Sequence, residues 1–342
     1  MRLAALIKSS DDPVYRYRLH AFEPELRRRG WEVSLHCLPK KWQTRLPLYL
    51  RLWPASVVVL QRRLLGRGEI LVLRRSATRL VYDFDDAIMY RSSNSPKGPY
   101  SRRREARFRA ILEAADVIIA GNRFLAEAAG CYTDPVKIYR IPTCVDPGHY
   151  LLASHERESP KLQLVWIGSA STLRTLGGFS RHLEAIASAI SKVQLKVICD
   201  FFPSEMPIPV VQCPWSAERE ASDLATADVG ISWMPDGTWS RGKCGLKVLQ
   251  YMAAGLPVIA NPVGVHCEMI AHGRNGFLAE TPEEWAEAVQ HLARDPELRR
   301  AMGRVGRKTV LEGYSPGRWA DTFVGVVSGD VRTRNSRCVL GG

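Results

Sequence analysis

Residues 239–264 read WSRGKCGLKVLQYMAAGLPVIANPVG, and this stretch decides the fold prediction. Leu246, Leu249 and Met252 recur at the spacing of one helix face. Gly255 stands where a helix C-terminus favours a residue with positive φ, and a proline two residues later stops the helix. The apolar triplet VIA then forms a short buried strand. The stretch therefore predicts a loop, a helix, a tight turn, a strand and a second loop.

The loop that begins this stretch has the composition of an anion-binding segment. Residues 240–245 hold two glycines and two cations. The helix N-terminus that follows carries about half a positive charge and unpaired N–H groups. Lys243 in the loop and Lys247 in the first helical turn complete a cradle for a diphosphate. Its backbone amides come from Gly245 and Leu246. The alternative is that both lysines are solvated surface charges, as most lysines are.

The same alternation of strands and helices runs through the rest of the 342 residues. The strands are continuous apolar runs, such as SVVVL at 56–60, which is typical of a parallel sheet covered by helices on both faces. The alternation stops at a polar linker, 148–160, and then restarts. The predicted fold class is α/β, with two Rossmann-like doubly wound parallel-sheet domains that face each other across a cleft.

This pattern also sets the predicted domain boundaries, which are 1–150 for the N-terminal domain and 160–315 for the C-terminal domain. A C-terminal helix at 316–328 is expected to pack back toward the N-terminal domain, and residues 329–342 are expected to form a flexible tail. Ligands bind such sheets outside the carboxyl ends of the strands, so the cleft is the default active site. The N-terminal half has no GxGxxG fingerprint, which argues against a nicotinamide or flavin enzyme.

Composition narrows the class of protein further. No apolar run approaches the roughly 20 residues of a membrane-spanning helix. The apolar segment near the N-terminus, LAALI, is too short for a signal peptide and lacks a small-residue cleavage site. The eight cysteines form no CxxC pair and no metal-type cluster, so we expect reduced thiols and no zinc site. These features predict a cytoplasmic protein.

The formal charge of +13 indicates an anionic partner. From Lys40 to Arg79 there are ten cations and one acid, Glu69. Apolar and aromatic residues are interleaved with them: Trp42, Leu46, Leu48, Tyr49, Leu50, Leu52 and Trp53. A second basic cluster runs from Arg102 to Arg109. Such a mixture suits the interface of an anionic bilayer, and the alternative is a solvated positive face. No nucleic-acid-binding motif accompanies the charge, so nucleic acid is not expected as a partner.

Three carboxylates, Asp83, Asp85 and Asp86, follow a predicted strand. They are open to three interpretations: a DxD-like metal site, a role in lining the acceptor or donor-sugar cleft, or salt bridges to nearby arginines. Asp200 also ends a strand and is a candidate nucleotide contact, and Trp215 is a candidate flank for the base or a core residue. The loop that contains His266 offers backbone amides to a sugar or phosphate, and the alternative is that His266 lies on the surface.

The chain resembles the retaining glycosyltransferases of family four, which have the GT-B fold. The segments that carry the resemblance are GLKVLQYMAAGLPVIA (245–260), NPVGVHCEMI (261–270), HGRNGFLA (272–279), WIGSASTL (166–173), LVYDFDDAI (80–88) and VIIAGNRFLAE (117–127). The resemblance implies transfer of a sugar from a UDP- or GDP-type nucleotide sugar to an acceptor, with retention and without a metal. It also implies that the N-terminal domain binds the acceptor and the C-terminal domain binds the nucleotide sugar.

The resemblance and the loop and strand-end positions described above together predict the site residues. Catalytic roles at the diphosphate or sugar are predicted for Lys247, Lys243 and Asp86. The implied donor-binding residues are Gly168, Ser169, Ser171, Thr172, Arg174, Asp200, Trp215, Gly245, Leu246, Gln250 and His266. The chain departs from the family pattern at two glutamates spaced eight residues apart, which are here Gly242 and Gln250. Gln250 can still hydrogen-bond a ribose hydroxyl, whereas Gly242 has no side chain with which to reach the sugar.

These features predict a cytoplasmic glycosyltransferase, peripheral to a membrane, that acts on a lipid-linked or other cell-envelope glycan precursor. A second hypothesis, motivated by Gly242 and Gln250, is a sugar-nucleotide-binding or scaffold protein without turnover. A third, motivated by charge alone, is a nucleic-acid-binding protein. It requires tight and salt-dependent binding to duplexes or single strands.

Overall fold

The structure is a computed structural model that describes residues 1–52, 55–93, 95–156 and 161–330. The chain divides into two compact units. The first unit consists of Met1–Cys144, Gly237–Cys244 and Pro316–Gly342, of which 331–342 lie outside the described residues. The second unit consists of Val145–Asp236 and Gly245–Ser315.

Parallel strands form the centre of each unit. The strands are β1 (Arg2–Ile7), β2 (Glu32–Cys37), β3 (Val57–Gln61), β4 (Arg79–Phe84), β5 (Val117–Ala120), β6 (Ile138–Arg140), β7 (Leu162–Ile167), β8 (Val193–Ile198), β9 (Val210–Cys213), β10 (Val229–Ser232), β11 (Val258–Ala260) and β12 (Gly276–Leu278). The first sheet has the order β2-β1-β3-β4-β5-β6, and the second has the order β12-β11-β10-β7-β8-β9. All the neighbouring pairs in both sheets run parallel.

Helices connect these strands. They are α1 (Pro13–Arg18), α2 (Glu23–Arg28), α3 (Leu46–Arg51), α4 (Arg67–Arg75), α5 (Arg102–Ala114), α6 (Arg123–Gly130), α7 (Ala170–Leu173), α8 (Ser180–Ala189), α9 (Glu220–Ala225), α10 (Thr238–Arg241), α11 (Leu246–Ala253), α12 (His266–Met269), α13 (Pro282–Arg294), α14 (Pro296–Gly313) and α15 (Pro316–Ser328). Short 3₁₀ turns lie at His20–Phe22, Trp42–Thr44, Pro135–Lys137, Pro147–His149 and Arg174–Phe179.

The first sheet is covered on both faces, because its strands alternate between two apolar cores. Val58 and Leu60 of β3 point into a core shared with α3, α4, α5 and α6. Val57 and Val59 point into the opposite core, which α1, α2 and α15 close. Every residue of β3 is therefore buried, as expected for a continuous apolar run in a parallel sheet.

The second unit repeats this arrangement. One of its apolar cores lies between the sheet, α8 and α13, with Trp166 and Trp285 fully buried. Helix α13 begins with a capping box, in which Thr281 accepts from the amide of Glu284 and the Glu284 carboxylate accepts in return. The prediction of two doubly wound parallel sheets is confirmed, and each unit has the β-α alternation from which it was inferred.

The division into units departs from the predicted domain boundaries. The N-terminal segment of the first unit ends at Cys144, whereas the predicted domain ended at 150. Residues 237–244 lie between β10 and α11 in sequence, yet they are compact with the first unit. Helix α15 also packs in the first unit, where Phe323 stacks on Phe22 at 4.4 Å between ring centroids. The end of the predicted linker, 157–160, and the predicted tail beyond 330 lie outside the described residues.

Candidate functional site

In the second unit, a lysine lies at the carboxyl end of β7. The Lys247 ammonium sits 3.9 Å from the centre of the Trp166 ring, within cation–π range, and 3.5 Å from the Thr172 hydroxyl. Gly168 follows β7 and makes room for this arrangement, because a Cβ there would lie 2.6 Å from Thr172 Oγ1 and 2.8 Å from Lys247 Nζ. The structure therefore brings together three of the predicted donor contacts: Gly168, Thr172 and Lys247.

Lys247 belongs to the first turn of α11. Gly245 precedes this helix in the left-handed region, with φ 65°, and Met269 fills the space that a Cβ at Gly245 would need. The first helical hydrogen bond that reaches back to Gly245 comes from the amide of Leu249. Among the described residues, no N-cap side chain accepts from this turn. The predicted backbone amides at Gly245 and Leu246 therefore lie at the positive end of a helix dipole, beside Lys247.

The loop after Gly168 is ordered by its own hydroxyls. The Thr172 hydroxyl accepts from the amide of Ser169 at 3.1 Å and donates to its carbonyl at 3.0 Å. The hydroxyls of Ser169 and Ser171 lie 2.9 Å apart, and both side chains are exposed. Arg174 is exposed at the end of the same turn. The loop thus presents several hydroxyls and one guanidinium at the carboxyl end of β7.

Tyr251, which the sequence analysis missed, fixes α11 against the sheet. Its hydroxyl accepts from the amide of Ile167 on β7 at 3.0 Å and donates to the carbonyl of Ile231 on β10 at 3.2 Å. The ring packs on Gly230, where any Cβ would collide with it. Tyr251 lies four residues after Lys247, on the next helical turn, so these bonds set the position of the lysine.

His266 is buried, so the interpretation that placed it on the surface is wrong. Its Nδ1 lies 2.8 Å from the carbonyl of Asn261, which can only accept, so Nδ1 carries the proton. Nε2 then accepts from the Ser232 hydroxyl at 3.1 Å. Burial, assisted by the charge of Lys247, lowers the pKa of His266 to about 4, so the ring is neutral at pH 7. The side chain therefore supports the loop from inside, and the contact predicted for the backbone of this loop stays a prediction.

Gln250 is also buried, within a polar network that links three elements. Its Nε2 lies 3.4 Å from the Tyr150 hydroxyl, which donates to the Glu220 carboxylate at 2.9 Å. The indole N–H of Trp215 donates to the other carboxylate oxygen at 2.9 Å. Trp215 is half-buried, while Asp200 is exposed just beyond the end of β8. The structure thus joins Gln250 to Trp215 through Glu220 and Tyr150, neither of which was singled out from the sequence.

In the first unit, the carboxylate cluster follows β4. Asp83 and Arg18 form a buried two-pronged ion pair, with Nη2–Oδ1 at 2.6 Å and Nε–Oδ2 at 3.1 Å. Arg18 also donates to the carbonyl of Ile141 at 3.0 Å, and Gln61 donates to Asp83 at 3.3 Å. The Asp83 carboxylate thus forms an internal ion pair, in agreement with the salt-bridge interpretation of the cluster.

Asp85 and Asp86 share the guanidinium of Arg62. Nε of Arg62 lies 3.3 Å from Asp85 Oδ1, and Nη2 pairs closely with Asp86 Oδ2. Burial raises the pKa of the Asp85 carboxyl, and the charge of Arg62 opposes that shift. No group of three metal-ligating side chains occurs in the described parts of the chain. The cluster is therefore an ion-pair network between carboxylates and arginines that are distant in sequence.

Lys243 belongs to the first unit and pairs with this network. Its ammonium lies 2.7 Å from Asp86 Oδ1 and 4.9 Å from the centre of the Trp239 ring. Its carbonyl accepts from the Asn122 side chain at 2.9 Å. The ammonium that was predicted to bind a diphosphate is thus engaged with Asp86, a residue that was itself predicted to be catalytic.

The packing at Gly242 explains why no glutamate stands there. A Cβ at Gly242 would overlap the Cβ of Ala87 and lie 2.8 Å from its amide nitrogen. Any side chain would therefore push residues 237–244 away from the segment that follows Asp86. The departure from the family pattern at 242 is a requirement of packing within the first unit.

Sequence comparison finds glycosyltransferases that are similar to part of this chain. Residues 237–309 match the family described as Glycosyl transferases group 1. D-inositol 3-phosphate glycosyltransferase of Paenarthrobacter aurescens is 37% identical over 27% of this chain and 22% of its own length. The matched stretch spans about a fifth of the length of the first curated relatives.

Solved structures match over nearly the whole chain. Sucrose-phosphate synthase of Thermosynechococcus elongatus has a TM-score of 0.71 at 17% identity, over 96% of this chain and 99% of its own. Anabaena HepE in complex with UDP has a TM-score of 0.65 at 14% identity, over 96% and 100%. At these identities the likeness shows the fold, which is that of the GT-B glycosyltransferases.

Proposed function

We propose that this chain, which has the GT-B fold and carries a group 1 glycosyltransferase domain at 237–309, transfers a sugar from a UDP- or GDP-type nucleotide sugar to a glycan acceptor. The observation that carries the proposal is the group of Lys247, Thr172 and Gly168 beside the N-terminus of α11. HepE, which shares the fold, is described in complex with UDP. We assign the diphosphate of the donor to this group.

Lys247 and the N-terminus of α11 have the charge that departure of a diphosphate leaving group requires. As the bond between sugar and diphosphate breaks, the diphosphate gains negative charge and the sugar gains positive charge. A fixed ammonium and a helix N-terminus aimed at the diphosphate stabilise that state more than the ground state. Lys247 is held by the ring of Trp166 and by the Thr172 hydroxyl, so it needs little reorganisation. The proposal therefore assigns transition-state stabilisation to Lys247 and α11.

Retention of configuration is part of the proposal and rests on the family resemblance. An acceptor that attacks from the face of the departing diphosphate needs no carboxylate nucleophile. Gly242 supplies no side chain at the sugar, which is consistent with such a route. Comparing the anomeric configuration of donor and product by NMR tests it, and an inverted product would contradict this part alone.

The test of the donor site is a thermal-shift and calorimetric screen against UDP, GDP and their sugars, because a ligand of the native state raises its apparent stability. We expect Lys247→Ala to weaken nucleotide-sugar binding or turnover by about tenfold or more, the scale of one lost charge-assisted hydrogen bond. Lys308→Ala is the matched control, because Lys308 is exposed on α14. Equal affinity in wild type and Lys247→Ala would remove the assignment.

A catalytically impaired sugar-nucleotide-binding protein is the second candidate function. Two observations favour it: the absence of a side chain at Gly242 and the buried amide at Gln250. It predicts nucleotide-sugar binding without donor hydrolysis or transfer across a broad acceptor panel. Turnover with any acceptor would reject it.

We also propose that the first unit contacts an anionic membrane surface, at the cytoplasmic face, where a lipid-linked acceptor would be found. The surface near α3 and α4 exposes Trp42, Leu50 and Leu71 by 56%, 70% and 65%, among the cations that run from Lys40 to Arg79. Trp53 lies outside the described residues. Among the described helices, none is long and apolar enough to cross a bilayer.

Vesicle sedimentation tests this contact. We expect binding to vesicles that contain phosphatidylglycerol and little binding to phosphatidylcholine alone, with loss of binding as salt rises. Leu50→Ser combined with Leu71→Ser should weaken it, since both side chains are exposed apolar contacts. Equal binding to both kinds of vesicle would count against the proposal, and tight binding to DNA or RNA would favour a nucleic-acid partner instead.

A further inference from the structure

Two successive arginines, Arg62 and Arg63, follow β3 at the carboxyl end of the first sheet. Arg62 has φ 54°, in the left-handed region that L-residues with a Cβ avoid. Such a conformation is unfavourable for a residue with a side chain. Two kinds of contact hold Arg62 in this conformation. Its amide donates to the carbonyl of Asp83 at 2.9 Å, and its guanidinium pairs with Asp85 and Asp86. Strain of this kind concentrates at functional sites.

Arg63 contrasts with its neighbour. Arg63 is half-buried. Its Nε atom is shielded from water and has no hydrogen-bond partner among the described residues. An unsatisfied buried donor is unfavourable, so a ligand that supplied the acceptor would remove that cost. Arg63 therefore has unused capacity to bind an anion.

A second arginine adds to the positive potential at Arg63. Arg45 is fixed by three acceptors: the carbonyl of Pro39 at 2.6 Å, the carbonyl of Lys40 at 2.9 Å and the carboxylate of Glu69 at 3.0 Å. Burial, and then the charge of Arg45, lower the pKa of Arg63. A bound anion would relieve this repulsion, because it would neutralise part of the positive charge.

The same bonds fix the loop that follows β2. Because Arg45 holds the carbonyls of Pro39 and Lys40, the exposed ammonium groups of Lys40 and Lys41 are carried at the carboxyl end of the sheet. The acid that attracts Arg63, Asp12, is already shared between the amide of Val14 at 3.0 Å and Lys8 at 3.2 Å. The strand ends on this side of the sheet thus carry more positive than negative charge.

We propose that Arg63, in the positive field of Arg45, is the centre of an anion site in the first unit that binds a phosphoryl group of the acceptor. A planar guanidinium matches the oxygens of a phosphoryl group in a two-pronged geometry. The assignment to the acceptor rests on the proposed function, which gives the donor diphosphate to Lys247 in the second unit. A soluble sugar phosphate and the headgroup of a lipid-linked acceptor present the same chemistry.

Calorimetric titration with inorganic pyrophosphate tests the site, because this probe carries no sugar or lipid. We expect Arg63→Gln to weaken the first-unit site by about tenfold, as for the loss of a charge-assisted hydrogen bond. The effect should be clearest in the Lys247→Ala background, where the donor site is weakened. Arg63→Lys keeps the charge without the planar fork and should weaken binding by less. Arg67→Gln is the control, because Arg67 is exposed at the start of α4.

The outcomes separate this inference from the proposed function. Unchanged pyrophosphate affinity in Arg63→Gln, or equal losses in Arg63→Gln and Arg67→Gln, would overturn the anion site. A loss in Arg63→Gln with no effect of Lys247→Ala would uphold the anion site and reject the donor assignment. Unfolding midpoints of all the variants establish that each one is folded.

Two further arms identify the source of the phosphoryl group. Glucose 1-phosphate supplies a soluble sugar phosphate, and vesicles that contain phosphatidic acid supply a lipid headgroup. Binding of either that depends on Arg63 supports the site and names its source. If Arg63→Gln changes the binding of neither ligand, the assignment of the site to the acceptor is rejected, even where pyrophosphate binding depends on Arg63.

Discussion

The carboxyl ends of the two sheets are built from different chemistry. In the first unit, the carboxylates that follow β4 form ion pairs. Arg18 pairs with Asp83, and Arg62 pairs with both Asp85 and Asp86. In the second unit, uncharged hydrogen bonds perform the corresponding role, through Tyr251 between β7 and β10 and through neutral His266 on Ser232. Both units are built on a six-stranded parallel sheet, but their strand orders differ, and so do the buried polar groups at these strand ends.

This difference predicts how the stability of each unit should change with substitution and with pH. Removing one partner of a buried ion pair leaves an uncompensated charge, whereas removing one neutral partner leaves an unsatisfied dipole, which costs less. The titrations also have opposite signs. The raised pKa of Asp85 makes its contribution fall as pH rises, whereas the lowered pKa of His266 makes its contribution fall as pH drops.

The largest effect is expected for Asp83→Ala, which leaves Arg18 buried without its carboxylate. We expect the first unit to lose about 3–5 kcal/mol of unfolding free energy. Urea denaturation, with hydrogen exchange to assign the transition to the first unit, measures the loss. Glu113→Gln is the control, since its pair with Arg109 is exposed to solvent and should change the stability little. A loss below about 1 kcal/mol in Asp83→Ala would show that ion pairing does not distinguish the first unit.

A smaller, pH-dependent effect is expected in the second unit. Because the pKa of His266 is lowered to about 4 from an ordinary 6.5, the unfolded chain binds its proton more readily. Stability should therefore rise between pH 4 and 6.5, by an amount of the order of 3 kcal/mol, and level off above that range. His266→Gln should flatten this rise, and NMR titration of the wild-type ring should give a pKa near 4 with the proton on Nδ1. A ring pKa near 6.5 would contradict the neutral assignment.

The smallest effect is expected for Gly242→Ala, which tests the packing of residues 237–244 in the first unit. A methyl group at 242 would meet the backbone of Ala87, so we expect a loss of about 1–3 kcal/mol and faster hydrogen exchange in this segment. Gly237→Ala is a matched control, because a Cβ there has no neighbour within 4 Å and the backbone is extended. Equal effects of the two substitutions would mean that 242 has no special packing constraint.

The sequence was sufficient for those features that depend on neighbouring residues. Helix α11 follows Gly245 and its C-terminal glycine, Gly255, has φ 72°, as the pattern of 239–264 predicts. The apolar runs locate the strands because a parallel sheet buries both of its faces. Gly168, Thr172 and Lys247 were chosen from two separate motifs, and the structure brings them together at the end of β7.

Partners that are distant in sequence could not be predicted. Asp83 forms its ion pair with Arg18, which lies 65 residues away in sequence, and no local pattern identifies which arginine is the partner. Nor does the pattern of 239–264 reveal that residues up to 244 pack in the first unit while α11 belongs to the second. The burial of His266 likewise depends on Ser232 and on the loop of Asn261, which only the folded chain brings to it.

Local sequence patterns are thus sufficient to predict the class of fold, most of its elements and the lysine that the structure places at the end of β7. These follow from periodicity, helix termination and side-chain chemistry within short segments. Three features depend on tertiary contacts instead: Lys243 pairs with Asp86, position 242 requires glycine, and Nε of Arg63 has no hydrogen-bond partner among the described residues. Ion pairing, close packing and burial depend on distances between segments far apart in the chain, and folding alone sets those distances.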